Sequence, residues 1–158
     1  MGDHMKSRSR DKKIIATNRK ARFNYELLET LEAGIVLDGG EVKSARSGGV
    51  NLNDGYVGLE KNEIFLYNVN ISPYKFTSGG LELKYNPQRP RKLLLHKKEI
   101  IKLQNKVNEK GFAIVPTEVY FKNGLVKVEI AVAKGKKLWD KREAIKKREV
   151  EREIRKIY

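Results

Sequence analysis

The sequence contains no cysteine. That excludes disulfide frameworks, thiolate-bound zinc, iron–sulfur clusters and thiol nucleophiles together. Histidine is almost as scarce, with only His4 and His96. Because Met1-Gly-Asp-His-Met5 reads as a start codon followed by a cloning scar, Met5 is the expected native start, the alternative being that all five residues are native. His96 then stands alone, which argues against a histidine metal site and against a Ser-His-Asp triad. No apolar run is long enough to cross a bilayer, and no charged-then-apolar leader is present. Phosphate-binding glycine loops of the Walker or dinucleotide type are missing, since Gly39-Gly40 and Gly48-Gly49 fit turns and helix caps. Glu26, Glu29 and Glu32 are close in sequence, but strand alternation puts Glu29 on the opposite face from the other two. We therefore expect no catalytic residue, no metal and no cofactor, and read the chain as a non-enzyme.

What the chain has in excess is positive charge. Its 158 residues carry 34 Lys and Arg against 20 Asp and Glu, a net +14 with a pI near 9.9. Such a balance selects a polyanionic partner, nucleic acid before an anionic membrane. The charge is uneven: net +6 over residues 1–22, −5 over 23–83, +7 over 84–110, +1 over 111–135 and +5 over 136–158. The length suits one domain with a tail. Residues 1–13 read as a disordered basic arm, 14–134 as the folded domain, and 135–158 as a basic tail. The tail has strong helix formers, but Leu138, Trp139, Ile145, Val150, Ile154 and Ile157 are too sparse for a core-facing stripe. It is expected to be disordered when free and to fold on a partner, the alternative being a helix docked on the domain. We expect a cytoplasmic, soluble monomer.

Between the ends, periodicity indicates mainly antiparallel β structure with two or three helices. Residues 25–37 alternate, with Tyr25, Leu27, Leu31, Ala33, Ile35 and Leu37 on one parity, and Gly34 is expected to let this strand bend. A short helix is expected over Glu41–Arg46, capped by Asp38 and ended by Gly48-Gly49. Tyr56–Leu59 and Ile64–Val69 flank Lys61-Asn62 as a hairpin; Phe112–Phe121 and Leu125–Ala133 flank Lys122-Asn123-Gly124 as another. In the last strand Val126, Val128, Ile130 and Val132 face in, and Lys127 and Glu129 face out. Residues 75–92 read as a long exposed loop, and Leu93–Asn108 as a helix ended by Gly111. Short strands, one long strand and glycine bends favour a closed barrel over an open sheet.

Two features suit RNA. Arg89-Pro-Arg91-Lys92 runs into Leu93-Leu94-Leu95-His96-Lys97-Lys98. All three leucines cannot face inward, so an exposed Leu94 beside His96, with a basic rim, suits unstacked bases and phosphates; the alternative is a solvated basic face. The lone Trp139 sits in a basic run, where it can stack on bases or pack on the domain.

Seven ordered strings resemble one family. They are Ala16-Thr-Asn18-Arg-Lys20-Ala-Arg22, Glu32-Ala-Gly-Ile35, Gly40-Glu41-Val-Lys43-Ser44, Asn51-Leu-Asn-Asp54, Asn70-Ile-Ser-Pro-Tyr74, Arg91-Lys-Leu-Leu94-Leu-His96-Lys97 and Gly135-Lys136-Lys137 with Asp140-Lys141-Arg142-Glu143. Together they resemble the SmpB family (small protein B) of bacterial tmRNA-binding proteins over residues 14–158. The resemblance implies an oligonucleotide-binding-like (OB-like) antiparallel β-barrel with flanking helices. It also implies an adaptor of trans-translation that binds the tRNA-like domain of tmRNA (SsrA RNA) and delivers it to stalled ribosomes for rescue and tagging. Glu32, Leu94 and His96 match positions that contact the RNA elbow; Asn18, Lys20, Glu41, Lys43 and Lys97 match motif positions on the same side. Gly135, Lys136, Lys137, Trp139, Asp140, Lys141 and Arg142 match the tail motif that engages the decoding centre, and the rest of the tail matches a segment that turns helical in the mRNA channel. Ala45, Asn70 and Gly55 depart from the Leu, His and Ser common in the family, and Phe76–Tyr85 has its own sequence. A general single-strand or ribosomal RNA binder and a protein-interaction module remain the alternatives.

Overall fold

The computed structural model describes residues 12–74, 85–109 and 111–135. The elements in chain order are β1 (Lys13–Thr17), α1 (Arg19–Asn24), β2 (Tyr25–Ile35), α2 (Gly39–Arg46), β3 (Val50–Asn51), β4 (Tyr56–Glu60), β5 (Glu63–Tyr67), β6 (Asn70–Ile71), β7 (Arg91–Leu94), α3 (Lys97–Asn108), β8 (Phe112–Lys122) and β9 (Leu125–Gly135). Seven strands form an antiparallel sheet in the order β1-β8-β9-β2-β7-β5-β4, and β3 pairs with β6 apart from it. Among the described residues the class is mainly β with three helices, as expected, but the ladder does not close. β4 curls back against β8 without pairing to it, and Gly55 permits the approach: a Cβ there would lie 2.7 Å from Val69 and 2.8 Å from Pro116. An OB-like fold is compatible with this curled open sheet.

Alternation decides what the sheet buries. Ala33 of β2, Ile64 and Leu66 of β5, Leu93 of β7 and Val128 and Ile130 of β9 are each at most 1% exposed, and α3 covers them through Leu103. Each such large side chain contributes about 1.5–3 kcal/mol of burial. Both hairpins turn as their sequences require: Lys61 and Asn62 have φ of 48° and 65°, Asn123 and Gly124 of 53° and 76°. Among the described residues no helix is long and apolar enough to cross a membrane.

Two local expectations are corrected and a third is extended. The helix does not begin at Leu93: Leu93 and Leu94 belong to β7, pairing with β2 and β5, and α3 starts at Lys97 with Glu99 accepting the His96 N–H at 3.2 Å. Strand pairing on both sides outweighs helix propensity over those residues. At Gly34 the structure adds a close approach, since a Cβ there would lie 3.2 Å from the Leu94 Cβ, and the register irregularity in β2 falls between Leu27 and Glu29. Finally, the segment read as loop up to residue 92 ends in structure: Tyr85 is half-buried and Arg91 is 0% exposed.

Arg91 is buried because Glu41 of α2 lies beside it. Arg91 Nε and Nη2 donate to Glu41 Oε2 at 2.9 and 2.6 Å, Nη1 to the Val69 carbonyl at 2.6 Å, and Nη2 also to the Pro87 carbonyl at 2.9 Å. Arg89 donates to Glu41 Oε1, which also accepts the Asp38 N–H at 3.0 Å. The Tyr85 hydroxyl lies 2.8 Å from the Ile71 carbonyl, and burial followed by the Glu41 charge pushes its pKa up to about 12. For Glu41 itself, burial works against ionisation, but hydrogen bonds from Arg89, Asp38 and Arg91 outweigh it and hold the carboxyl below its ordinary 4.5.

Glu41→Ala leaves a buried guanidinium unpaired, and should cost about 3–5 kcal/mol in urea unfolding. Because the folded-state pKa of Glu41 is depressed, its contribution is complete above pH 4.5 and is lost as pH falls through the folded value. An acid titration of stability should show that loss in the wild-type chain. A Glu41→Ala chain as stable as wild type at pH 7 would refute the role of the pair.

Candidate nucleic-acid interface

The strand registers place one set of side chains on the outer face, away from the core. Residues opposite one another in an antiparallel pair share a face. Tyr120 of β8 opposes Lys127 of β9, Lys127 opposes Gly34 of β2, and Gly34 opposes Leu94 of β7. The adjoining row is Glu118, Glu129 and Glu32, and Lys122 opposes Leu125 at the hairpin tip. Glu32, Lys122, Asn123, Leu125 and Lys127 line a shallow concavity there. Leu94 is 53% exposed and Leu125 60%. Two apolar side chains thus flank a carboxylate and two lysines, an arrangement that presents stacking surface, hydrogen-bond acceptor and cations together.

Glu32 is held in place by its neighbours. Its Oε2 accepts from the Tyr120 hydroxyl and from Lys122 Nζ at 3.2 Å. Burial opposes the charge, yet those two hydrogen bonds and the nearby Lys122 and Lys127 charges prevail, keeping the carboxyl below its ordinary value. Tyr120 is shifted upward by burial and by the Glu32 carboxylate, so it stays a donor. Lys12 Nζ sits over its ring, 4.3 Å from the centre.

The expected contact residues divide three ways. Glu32 and Leu94 are brought together on this face, and the exposed His96 and Lys97 follow Leu94 at the start of α3. Lys20 and Lys43 are exposed but are not placed among these rows. Lys20 pairs with Asp54 at 2.8 Å, and Lys43 Nζ lies 5.5 Å from the centre of the Tyr74 ring. Asn18 and Glu41 are interior, at 1% and 2% exposure, and neither is available for direct contact. Asn18 caps α1, its Oδ1 accepting the Ala21 N–H at 3.0 Å while Nδ2 donates to the Leu52 and Pro116 carbonyls at 3.0 and 2.8 Å. The basic rim is likewise corrected: Arg91 faces the core, and of that run Lys92 shares the face of Leu94, 3.5 Å from Glu63. Gly135 pairs with Tyr25 at the far end of β9 from the Asn123-Gly124 turn. Lys136, Lys137, Trp139, Asp140, Lys141 and Arg142, with the expected tail and N-terminal arm, lie outside the described residues.

Tyr120, Lys122 and Leu125 were not singled out from sequence as site residues. The Asn-Gly turn fixes the hairpin register and so their face, but only the long-range pairing of β2 with β9 brings Glu32 to them.

The family model for SmpB protein matches residues 15–158. The chain belongs to the SmpB family. An SsrA-binding protein of Persephonella marina is 57% identical over 146 residues, 92% of this chain and 94% of that relative. One of Thermosipho melanesiensis is 58% identical over 144 residues, covering 90% and 96%. A solved SmpB-family structure, described as "tmRNA-SmpB: a journey to the center of the bacterial ribosome", matches with a TM-score of 0.66 and 44% identity, over 82% of this chain and 93% of the other. Within this SmpB-family chain the interior position of Asn18 carries a prediction of its own. Asn18→Ala deletes three buried hydrogen bonds, including the cap on the Ala21 N–H, while the Leu52 carbonyl keeps the Gly55 N–H, so thermal or urea unfolding should show a loss of about 2–3 kcal/mol. Unchanged stability would mean that α1 is held by other contacts.

Proposed function

We infer that this chain is an RNA-binding adaptor of trans-translation. It binds the tRNA-like domain of tmRNA and delivers it to ribosomes stalled on incomplete messages, leading to rescue of the ribosome and tagging of the unfinished polypeptide. The observation that carries the reading is the match to SsrA-binding relatives over nine-tenths of the chain and to a solved tmRNA–SmpB structure over 82% of it. The protein works by binding, in the cytoplasm, with tmRNA and the ribosome as its partners.

The geometry supports a division into two surfaces. The outer face around Glu32, Leu94 and Lys127, continued by His96 and Lys97, meets the RNA. A carboxylate is repelled by phosphate, so Glu32 specifies while lysines attract: it accepts from a base edge or a ribose 2′-hydroxyl. The tail beginning at Gly135 meets the decoding centre through Lys136, Lys137, Trp139, Asp140, Lys141 and Arg142. β9 is 11 residues long, about 35 Å at about 3.3 Å per residue, so the hairpin tip and the tail's origin are far enough apart to be engaged together.

The first test compares binding of the tRNA-like domain with single-stranded RNA of equal length at physiological salt. We expect clear preference for the folded RNA and a steep fall in affinity with salt, since lysine contacts release counterions. Equal binding of both would withdraw the adaptor reading in favour of general RNA binding. Removing residues 136–158 should leave much of the tmRNA affinity but abolish tagging in a reconstituted stalled-ribosome reaction. Persistent tagging would dissociate the tail from the decoding centre.

A further inference from the structure

Glu32 is anchored at one oxygen only. Both protein donors, the Tyr120 hydroxyl and Lys122 Nζ, go to Oε2, and among the described residues Oε1 has no hydrogen-bond partner. Tyr120 is itself held rigidly: it is 3% exposed, within an eleven-residue strand paired on both sides, and roofed by Lys12. An oxygen with two lone pairs is filled by two donors. Oε2 therefore has no further capacity, and Oε1 is the acceptor that Glu32 has left to offer in the concavity it lines with Asn123, Leu125 and Lys127.

We propose that Tyr120 is a positioning residue for RNA recognition: with Lys122 it locks Glu32 Oε2 and presents Oε1 as a single acceptor for one lone donor of the RNA. This rests on the tmRNA-binding reading and adds its chemistry. A guanine Watson–Crick edge, with its two adjacent N–H donors, would need both oxygens, so it is not the fit. One hydroxyl or one amino N–H is, and two RNA groups supply that: a ribose 2′-hydroxyl and an exocyclic base amine. Leu125 lines the same hollow as apolar wall, and Lys122 and Lys127 place charge at its rim for the adjoining phosphates.

The locked geometry makes Glu32→Gln informative. In the presence of Tyr120 and Lys122, the amide oxygen is favoured in the Oε2 place, because an NH2 there would face the Lys122 ammonium, which cannot accept, and would force the Tyr120 hydroxyl to turn its proton away. The NH2 group then occupies the Oε1 place, where it confronts the RNA donor. Glu32→Gln should therefore lose as much affinity for the tRNA-like domain as Glu32→Ala. An unlocked side chain would instead turn its oxygen outward and keep most of the binding.

The experiment titrates labelled tRNA-like domain with wild type, Glu32→Ala, Glu32→Gln, Tyr120→Phe and the Tyr120→Phe/Glu32→Ala pair, with thermal unfolding of each. Wild-type preference for the folded RNA is established first, and its absence would remove the functional reading and this proposal with it. With preference intact, Tyr120→Phe should weaken binding by about 3–10-fold, the size of one hydrogen bond acting through another group. It should leave the salt slope unchanged, and the double variant should bind no worse than Glu32→Ala alone. A Tyr120→Phe chain at wild-type affinity, a loss that adds in full to that of Glu32→Ala, or Glu32→Gln binding like wild type would each overturn the lock. Glu32→Gln keeps the test decisive should Tyr120→Phe unfold. RNA carrying 2′-deoxy segments, or bases lacking the exocyclic amine, separates the two donor sources: removing the true donor makes wild type and Glu32→Gln bind alike. A difference that survives both removals would also refute the proposal.

Discussion

Everything on the outer face depends on an ion pair behind it. β7 is four residues long and lies between β2 and β5, and without it the sheet would fall into two pieces. A strand so short has few ladder bonds of its own. Arg91 fastens it from the core side, reaching Glu41 of α2 and the carbonyls of Val69 and Pro87, so that a helix, two connecting segments and the strand share one guanidinium. Once β7 is fixed, alternation turns Leu94 outward above Gly34, and α3 leaves from a defined point with His96 and Lys97 at its start. A buried pair of this kind is weak evidence for net stability, since apolar replacements of equal volume often do as well. Its value here is positional: only one seating of α2 satisfies it.

That arrangement explains how much of the molecule was legible in advance. The long alternating strand, both hairpins, the Asp38-capped helix and the inward parity of Val126, Val128, Ile130 and Val132 are local features, and local chemistry determines them. Leu94 as the exposed leucine followed from counting faces. What was not legible is long-range. Arg89 and Arg91 look like solvent-facing cations until Glu41, some fifty residues earlier, is known to lie beside them. Asn18 looks like a surface polar residue in a basic segment until the Leu52 and Pro116 carbonyls close around it. In both cases the structure gives the residue an architectural place that no local pattern announces. The β1 strand and α1 helix escaped notice because five or six residues with mixed polarity show no clear period.

Read with the proposed function, the candidate interface gives a basic chain a means of avoiding indiscriminate attraction. Lysines alone would draw any polyanion. Among them sits a row of three carboxylates, Glu118, Glu129 and Glu32, on neighbouring strands. Each has a donor: Arg22 and Lys12 reach Glu118, Thr117 reaches Glu129, and Tyr120 with Lys122 reaches Glu32. On the proposed function, such a row among lysines would disfavour a backbone that approaches phosphate-first and favour one that arrives with hydroxyls or base edges.

The Asn123-Gly124 turn holds a constraint of another kind. In a two-residue hairpin every side chain's face is counted from the tip, so the tip works like a reading frame for the two long strands beyond it. One residue added or removed there would send Tyr120 and Lys122 toward the core and Val119 and Phe121 into solvent, unless a bulge absorbed the slip. Drift in the length of this hairpin is therefore quantised: steps of two preserve the chemistry of the face, while steps of one erase it without altering a single residue that the RNA would touch.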